Sequence, residues 1–171
     1  MRLEPRPLTA RDFAPFGDVI EASDAAEQRS INAGHSTRFH DLARLSLDAE
    51  GGRPCLSIFR TTPLPQPLHL TMMERHPLSS QAFHPLGPHP YLVVVAPPGD
   101  FDPQAVCAFL AGPGQGVNYH PGTWHHFNLA LGGPSDFLVV DRDGPDANCD
   151  EISLDEPMVV EAIAVLPGAG A

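Results

Sequence analysis

Nine histidines stand in a chain that carries 21 acidic and 10 basic residues. Six of them fall in two groups, His69, His76 and His84, then His120, His125 and His126. Within the first group the segment Glu74-Arg75-His76 is followed five residues on by Gln81. Residues i and i+2 of a strand share a face, so Glu74 and His76 project together, and a turn across Pro77 to Ser80 returns Gln81 beside them. The second group, His120-Pro121-Gly122-Thr123-Trp124-His125, has a Pro-Gly turn that brings His120 or His125 into the same cavity, with His125 and His126 facing opposite ways on a regular strand. An imidazole, with an ordinary pKa of about 6.5, is both the natural proton carrier at neutral pH and a common metal ligand. Glu74, His76, Gln81 and His125 offer one carboxylate, two imidazoles and an amide, a set that can hold a divalent ion such as Ni, Mn or Zn, the neutral amide being the weakest donor. The chain contains no lysine, which removes Schiff-base chemistry, a lysine base and the phosphate-binding Walker lysine. With no Gly-x-Ser-x-Gly segment and no cysteine in a Cys-His setting, the residues point to acid–base or metal-assisted chemistry without a nucleophile, and no organic cofactor is expected.

Each of these side chains also has an ordinary reading. His69 and His84 alternate with apolar neighbours and read as structural or exposed, and His89 lies between two prolines in a loop. His40 and Asp41 read as opening a short helical turn over residues 39–45, where an aspartate stabilises free N–H groups. Tyr119 and Trp124 read as core or cavity wall, Asn118 as a strand-end hydrogen-bonding residue, and Asp141-Arg142 as either an ion pair or a substrate clamp. Arg60 is costly to bury unpaired, so it either pairs with Glu74 or receives a substrate carboxylate in a bidentate fork. Cys149 has no base nearby in sequence and reads as inert.

These residues must be positioned by strands. The chain is 171 residues long, enough for one core. Its 20 prolines and 15 glycines lie between short apolar runs at residues 55–61, 68–74, 91–95, 105–110, 116–120 and 137–141, each of which reads as a strand. The runs follow too closely for helical crossovers, so an all-β antiparallel sandwich or barrel is expected, with helix confined to a Thr9-capped turn and residues 39–45. Residues 23–34 read as a surface loop. A single domain over 1–166 and a frayed tail at 167–171 complete the expected organisation. A net charge of −11 and a pI near 5.0 argue against nucleic-acid and anionic-membrane partners. The longest apolar run is far short of the roughly 18 residues of a membrane span. Three widely spaced cysteines and an amino terminus lacking an apolar leader fit a reduced, cytoplasmic protein.

The two histidine segments resemble the paired metal-binding motifs of cupins, with Glu74 in place of the first histidine and Gln81 in place of the usual glutamate. More specifically, Phe16-Gly17-Asp18-Val19-Ile20-Glu21, Phe39-His40-Asp41-Leu42-Ala43, Glu74-Arg75-His76-Pro77-Leu78 with Gln81-Ala82-Phe83, Gly116-Val117-Asn118-Tyr119-His120 with Trp124-His125-His126, and Asp136-Phe137-Leu138 with Asp141-Arg142 resemble the bacterial ureidoglycolate lyases. The resemblance runs from about residue 2 to 159. It implies a cupin-like (RmlC-like) β-barrel or jelly roll, a homodimer, and a carbon–nitrogen lyase that splits ureidoglycolate into glyoxylate and urea in allantoin breakdown. Ureidoglycolate is a small anionic hemiaminal, so its cleavage needs a base for the hydroxyl proton, an acid for the departing urea nitrogen, and a cation for the carboxylate. The residues expected to act are His120, His125, Glu74 and, drawn in by the resemblance, His40. Arg60, Asn118, Tyr119, Gln81 and His126 are expected to bind substrate, and Glu74, His76, Gln81 and His125 to hold a metal. The competing readings are another metal-dependent cupin enzyme on a small hydroxy- or keto-acid, and a ligand-binding cupin without activity.

Overall fold

The computed structural model describes residues 1–164, and each of the six apolar runs forms the body of a strand. The strands in chain order are β1 (Arg2–Leu3), β2 (Arg6–Pro7), β3 (Gly17–Ile20), β4 (Glu27–Ile31), β5 (Ser36–His40), β6 (Arg53–Thr61), β7 (Leu68–Arg75) and β8 (Gln81–Pro85). They continue as β9 (Tyr91–Ala96), β10 (Cys107–Ala111), β11 (Gly116–Tyr119), β12 (Trp124–His125), β13 (Leu129–Ala130), β14 (Ser135–Asp143) and β15 (Asp150–Val160), with one short α-helix, α1 (Ala10–Phe13), and three single 3-10 turns among the described residues. A large sheet runs β1-β15-β7-β12-β9-β10-β2, with β13 also on β9. A second sheet runs β3-β11-β8-β14-β6, and β4 and β5 form a separate hairpin. The all-β expectation holds. The antiparallel expectation needs one correction, because β1 joins β15 and β2 joins β10 in parallel. Their long sequence separation leaves the direction of approach free, and each closes an edge that would otherwise expose unpaired backbone groups.

Strand β9 shows why the large sheet forms. Its six residues are all buried, Tyr91, Val93 and Val95 packing with Phe13, Phe109 and Phe137, while Leu92, Val94 and Ala96 pack with Leu70, Met73 and Trp124. A strand covered on both faces reads as a continuous apolar run, which is how this segment appears in the sequence. The first of these clusters fills the space between the two sheets. Helix α1 plugs it: the Thr9 hydroxyl accepts from the Asp12 N–H at 3.1 Å, as expected of the cap, and Phe13 is fully buried edge-on against Phe109 at 5.6 Å. At Gly17 a Cβ would lie 1.9 Å from the Asn118 carbonyl oxygen, so the close pairing of β3 with β11 requires glycine.

Two expectations are overturned. Residues 39–45 form no helix: Phe39 and His40 end β5, Asp41 takes a left-handed conformation (φ 54°), and the chain then runs irregularly, since Asp41 redirects the backbone instead of capping a turn. Residues 23–34 are not a featureless loop, because β4 pairs with β5 along five residues. Every residue of β4 is exposed, so no apolar alternation announces it. The expected frayed tail at 167–171 lies outside the described residues.

One irregularity sets the site. On β7, Leu68 and Leu70 face the cluster that contains Trp124, but so does Met73, so the inward-facing parity changes between them. The partner strand β15 shifts register at the same place, between Ser153 and Met158. A one-residue shift of face sends every later side chain to the opposite side of the sheet. Glu74 therefore projects between the sheets, level with its cross-strand neighbour His125.

Phe13→Ala should cost about 3–5 kcal/mol in denaturant unfolding, because the ring is fully buried in aromatic contacts. Leu86→Ala, at a side chain 56% exposed, should stay within about 0.5 kcal/mol of the parent. Equal costs at the two positions would contradict this assignment of the core.

Candidate active site

At one end of the space between the sheets the apolar cluster gives way to polar side chains. Glu74 is the penultimate residue of β7, His76 directly follows that strand, Gln81 opens β8, Tyr119 ends β11 and His125 ends β12. Ligand atoms of Glu74, His76 and His125 lie within 4.8 Å of one another. His125 Nε2 is 3.5 Å from Glu74 Oε1, His76 Nε2 is 3.2 Å from Gln81 Oε1, and the two imidazole centroids are 5.2 Å apart. Tyr119 stacks on His125 at 4.3 Å with 19° between planes, which fixes the plane of the imidazole.

The hydrogen-bond chemistry fixes which ring nitrogens are free. His125 Nδ1 meets the Thr123 carbonyl at 3.0 Å and His76 Nδ1 meets the Asn148 carbonyl at 2.6 Å. A carbonyl only accepts, so the His125 Nδ1 carries the proton of its neutral ring, and at His76, where Gln81 Oε1 at 3.2 Å is also only an acceptor, the shorter 2.6 Å contact places it on Nδ1; each neutral ring then turns its Nε2 lone pair toward Glu74. Asp141 stands beside Gln81; burial raises its carboxyl and the neighbouring Gln81 amide acts in the opposite sense, while Gln81 Oε1 faces His76. Two imidazole lone pairs, a carboxylate and an amide oxygen thus converge. His125 Nε2 is buried with no hydrogen-bond partner, an arrangement that costs free energy until a cation fills it. This donor set fits a divalent metal held by Glu74, His76, Gln81 and His125, each imidazole being braced by a carbonyl on its far nitrogen.

The local electrostatics follow from the same geometry. A hydrogen bond from the His125 ring, when protonated, holds the Glu74 carboxyl below its ordinary range against the opposing effect of burial, and the charges of His76 and His126 act in the same sense. Burial raises the Tyr119 hydroxyl far out of the physiological range, so it remains an O–H donor. His126 is buried beside the cluster, its Nδ1 donating to the Phe127 carbonyl at 3.1 Å, and desolvation lowers its pKa. Cys149 lies 3.9 Å from both Glu74 Oε2 and Glu151 Oε1, and burial together with these acids pushes its thiol up to about 11.

Other expected residues stand elsewhere. Asn118 is the neighbour of Tyr119 on β11 and points the opposite way, donating to Asp18 Oδ2 at 2.9 Å and to the Arg44 carbonyl at 3.1 Å. His120 lies 3.4 Å from the same Asp18 oxygen, so the two belong to a polar knot that ties residues 41–47 over the back of the second sheet. His40 lines a separate depression of about 370 Å³ beneath the β4–β5 hairpin, with Glu21, Glu27 and Asp41. Arg60 does not pair with Glu74. It forms a bidentate bridge to Asp136, its cross-strand neighbour, at 2.7 and 2.8 Å. Asp141 and Arg142 are not an ion pair either: Asp141 faces Gln81, whereas Arg142 donates to the carbonyls of Ala49 and Glu50. Asp141 was legible in principle, since Phe137, Val139 and Asp141 share one strand face and the first two are fully buried. The carbonyls of Thr123 and Asn148 left no signal in side-chain type.

Residues 1–161 match the family model described as ureidoglycolate lyase. The chain belongs to the ureidoglycolate lyase family. A ureidoglycolate lyase of Burkholderia mallei (strain NCTC 10229) is 52% identical over 160 residues, covering 94% of each chain. One from Burkholderia cepacia is 52% identical over 163 residues, covering 95% of this chain and 92% of its own. One from Rhizobium etli (strain CIAT 652) is 48% identical over 159 residues, covering 93% and 95%. A dTDP sugar isomerase structure from Desulfovibrio desulfuricans G20 aligns with a TM-score of 0.44 at 18% identity, over 82% of this chain and 87% of that one. As a family member, the chain presents Glu74, His76, Gln81, Tyr119 and His125 as one convergent group.

Titration with Ni²⁺ or Mn²⁺ should raise the unfolding temperature, since an ion that binds only the folded chain at 100-fold its Kd adds about 2.7 kcal/mol. His76→Ala or His125→Ala should remove that shift. A shift of the same size in both variants would place the ion elsewhere.

Proposed function

We propose that this chain is itself a ureidoglycolate lyase that releases urea and glyoxylate from ureidoglycolate. The observation that carries the reading is the convergence of Glu74, His76, Gln81 and His125 in a lyase family member, with no nucleophile among them. The substrate needs none: a hemiaminal collapses when its hydroxyl proton leaves and its nitrogen is protonated, so the reaction is one proton moved between two atoms of the same molecule. Glu74 suits that task. Its Oε1 lies 3.5 Å from His125 Nε2, while Oε2 lies on the side of the exposed Cys149 and can take the hydroxyl proton and return it to the departing urea nitrogen. His125, held flat against Tyr119, keeps the carboxylate in place, and the Tyr119 O–H donates to substrate oxygen. A divalent ion held by Glu74, His76, Gln81 and His125 would supply Lewis-acid attraction for the substrate carboxylate and hydroxyl oxygens. That attraction, or the charge of protonated imidazoles, stands in for Arg60, whose guanidinium is already satisfied by Asp136. Asn118 and His120 support the site from behind β11 by anchoring residues 41–47.

The proposal includes a cytoplasmic homodimer. No described helix is long and apolar enough to cross a membrane. Strand β6 ends the second sheet and leaves Leu56 and Ile58 exposed beside an edge that is unpaired among the described residues, a surface that a second copy would cover.

Fresh ureidoglycolate incubated with enzyme should yield urea and glyoxylate above the spontaneous rate, and chelation followed by Ni²⁺ or Mn²⁺ should lower and then restore the rate. Ammonia in place of urea would assign an amidohydrolase, and oxygen consumption another cupin chemistry. Glu74→Gln and His125→Ala should each lower kcat/KM by about 10²–10⁴-fold with the fold retained. Ile58→Lys should convert a dimer to a monomer in sedimentation, and an unchanged mass would remove β6 from the interface.

A further inference from the structure

Between β14 and β15 the chain makes an exposed loop in which one residue, Asn148, turns inward and is half-buried. Its carbonyl and both ends of its side-chain amide are committed to the segment that follows β7. The backbone carbonyl accepts from His76 Nδ1 at 2.6 Å, Oδ1 accepts from the Leu78 N–H at 2.7 Å, and Nδ2 donates to Ser79 Oγ at 2.8 Å. The two side-chain bonds clamp the loop to the Pro77–Ser79 turn, and that clamp holds the carbonyl against the imidazole. The loop is anchored on both sides: the Arg142 guanidinium packs over Gly144 and reaches Asp146 at 4.0 Å, and beyond Asn148 the Asp150 carboxylate accepts from Arg75 at 2.8 Å.

Both oxygens beside the ring, the Asn148 carbonyl at 2.6 Å from Nδ1 and Gln81 Oε1 at 3.2 Å from Nε2, only accept, so a neutral ring donates to one of them, and the shorter contact selects the form with the proton on Nδ1 and the lone pair on Nε2. The selected nitrogen is the one that faces Gln81 Oε1 at 3.2 Å. With its proton on Nε2 the ring would donate to Gln81 Oε1 instead and turn no lone pair toward Glu74 and His125. We propose that Asn148 is a positioning residue: by clamping its own carbonyl to His76 it sets the tautomer and direction of that imidazole, and so makes His76 a ligand or proton acceptor and not a donor. The inference deepens the reading of Glu74, His76, Gln81 and His125 as the active centre, yet its decisive measurement needs neither substrate nor metal.

That measurement is the ¹⁵N spectrum of the His76 ring at alkaline pH, where the imidazole is neutral, in the parent, Asn148→Ala and Asn148→Asp. The parent should show the Nδ1–H form almost alone. Asn148→Ala keeps the carbonyl but loses both clamping bonds, and its ring should relax to a mixture of tautomers. Asn148→Asp should restore the parent spectrum, because its carboxylate still accepts from Leu78 and can accept from the Ser79 hydroxyl. Binding of Ni²⁺ alone, followed by titration, should weaken by about 10–100-fold in Asn148→Ala and recover in Asn148→Asp. Ser79→Ala, which removes only one clamping bond, should fall between, and it serves in place of Asn148→Ala if that variant does not fold. A parent ring with the proton on Nε2, or an Asn148→Ala spectrum identical to the parent, would overturn the proposal and leave Asn148 as a staple of the turn. Failure of the lyase reading would instead appear as absent turnover with the tautomer pattern intact.

Discussion

The site depends on a change of face within one strand. Through Leu70 the even-numbered residues of β7 serve the cluster beneath the large sheet, and from Met73 the odd-numbered ones do. The register shift with β15 absorbs the discrepancy. Had β7 stayed regular, Glu74 would have pointed into the cluster with Trp124, where an unpaired carboxylate costs several kcal/mol or gives up its charge. With the shift, it enters the gap between the sheets at the level of His125, where β9, β12 and β7 lie side by side. The irregularity that weakens one ladder is thus what lets a strand core end in an acid.

Once Glu74 is there, the surrounding groups are constrained by what they can donate. The carbonyls of Thr123 and Asn148 each consume an imidazole N–H, and Gln81 turns its Oε1 toward His76. What is left pointing inward is a set of electron pairs with no proton among them when both rings are neutral. Such a set repels itself until a cation, whether a metal ion or a proton shared between His125 and Glu74, sits at its centre. Stacking on Tyr119 and the surrounding apolar cluster keep water from filling that role freely, since His125 is almost wholly buried. The fold therefore creates a demand for positive charge at one point, and an anionic substrate can be accommodated only after that demand is over-satisfied.

Strands buried on both faces were legible because their sequences are continuous apolar runs, as in residues 91–95, and Glu74, His76 and Gln81 were legible as neighbours because strand geometry and a proline turn leave few alternatives. His125 could not be separated from His120 by spacing: both flank the same Pro-Gly turn, and only the pairing of β12 with β7 puts His125 inside while His120 goes to Asp18. The hairpin of β4 and β5 escaped because it buries nothing that a pattern could reveal, and the helix expected at 39–45 failed because local propensity there is overridden by the polar knot around Asp18. Arg60 was read as a cation in need of a partner, which was sound, but its partner was set by cross-strand register with Asp136, a pairing that depends on tertiary structure.

The charge of the whole chain bears less on this chemistry than its size suggests. A net charge of −11 would disfavour an anionic substrate at long range, but at physiological ionic strength exposed charges are screened beyond about 8 Å. Many of the acids are also spent locally, Asp136 on Arg60, Asp150 on Arg75 and Glu27 on Arg29. Inside the cavity screening is weak and the nearest groups decide. There the chain places one carboxylate against two imidazoles, and any cation those three groups hold lies nearest to a bound anion.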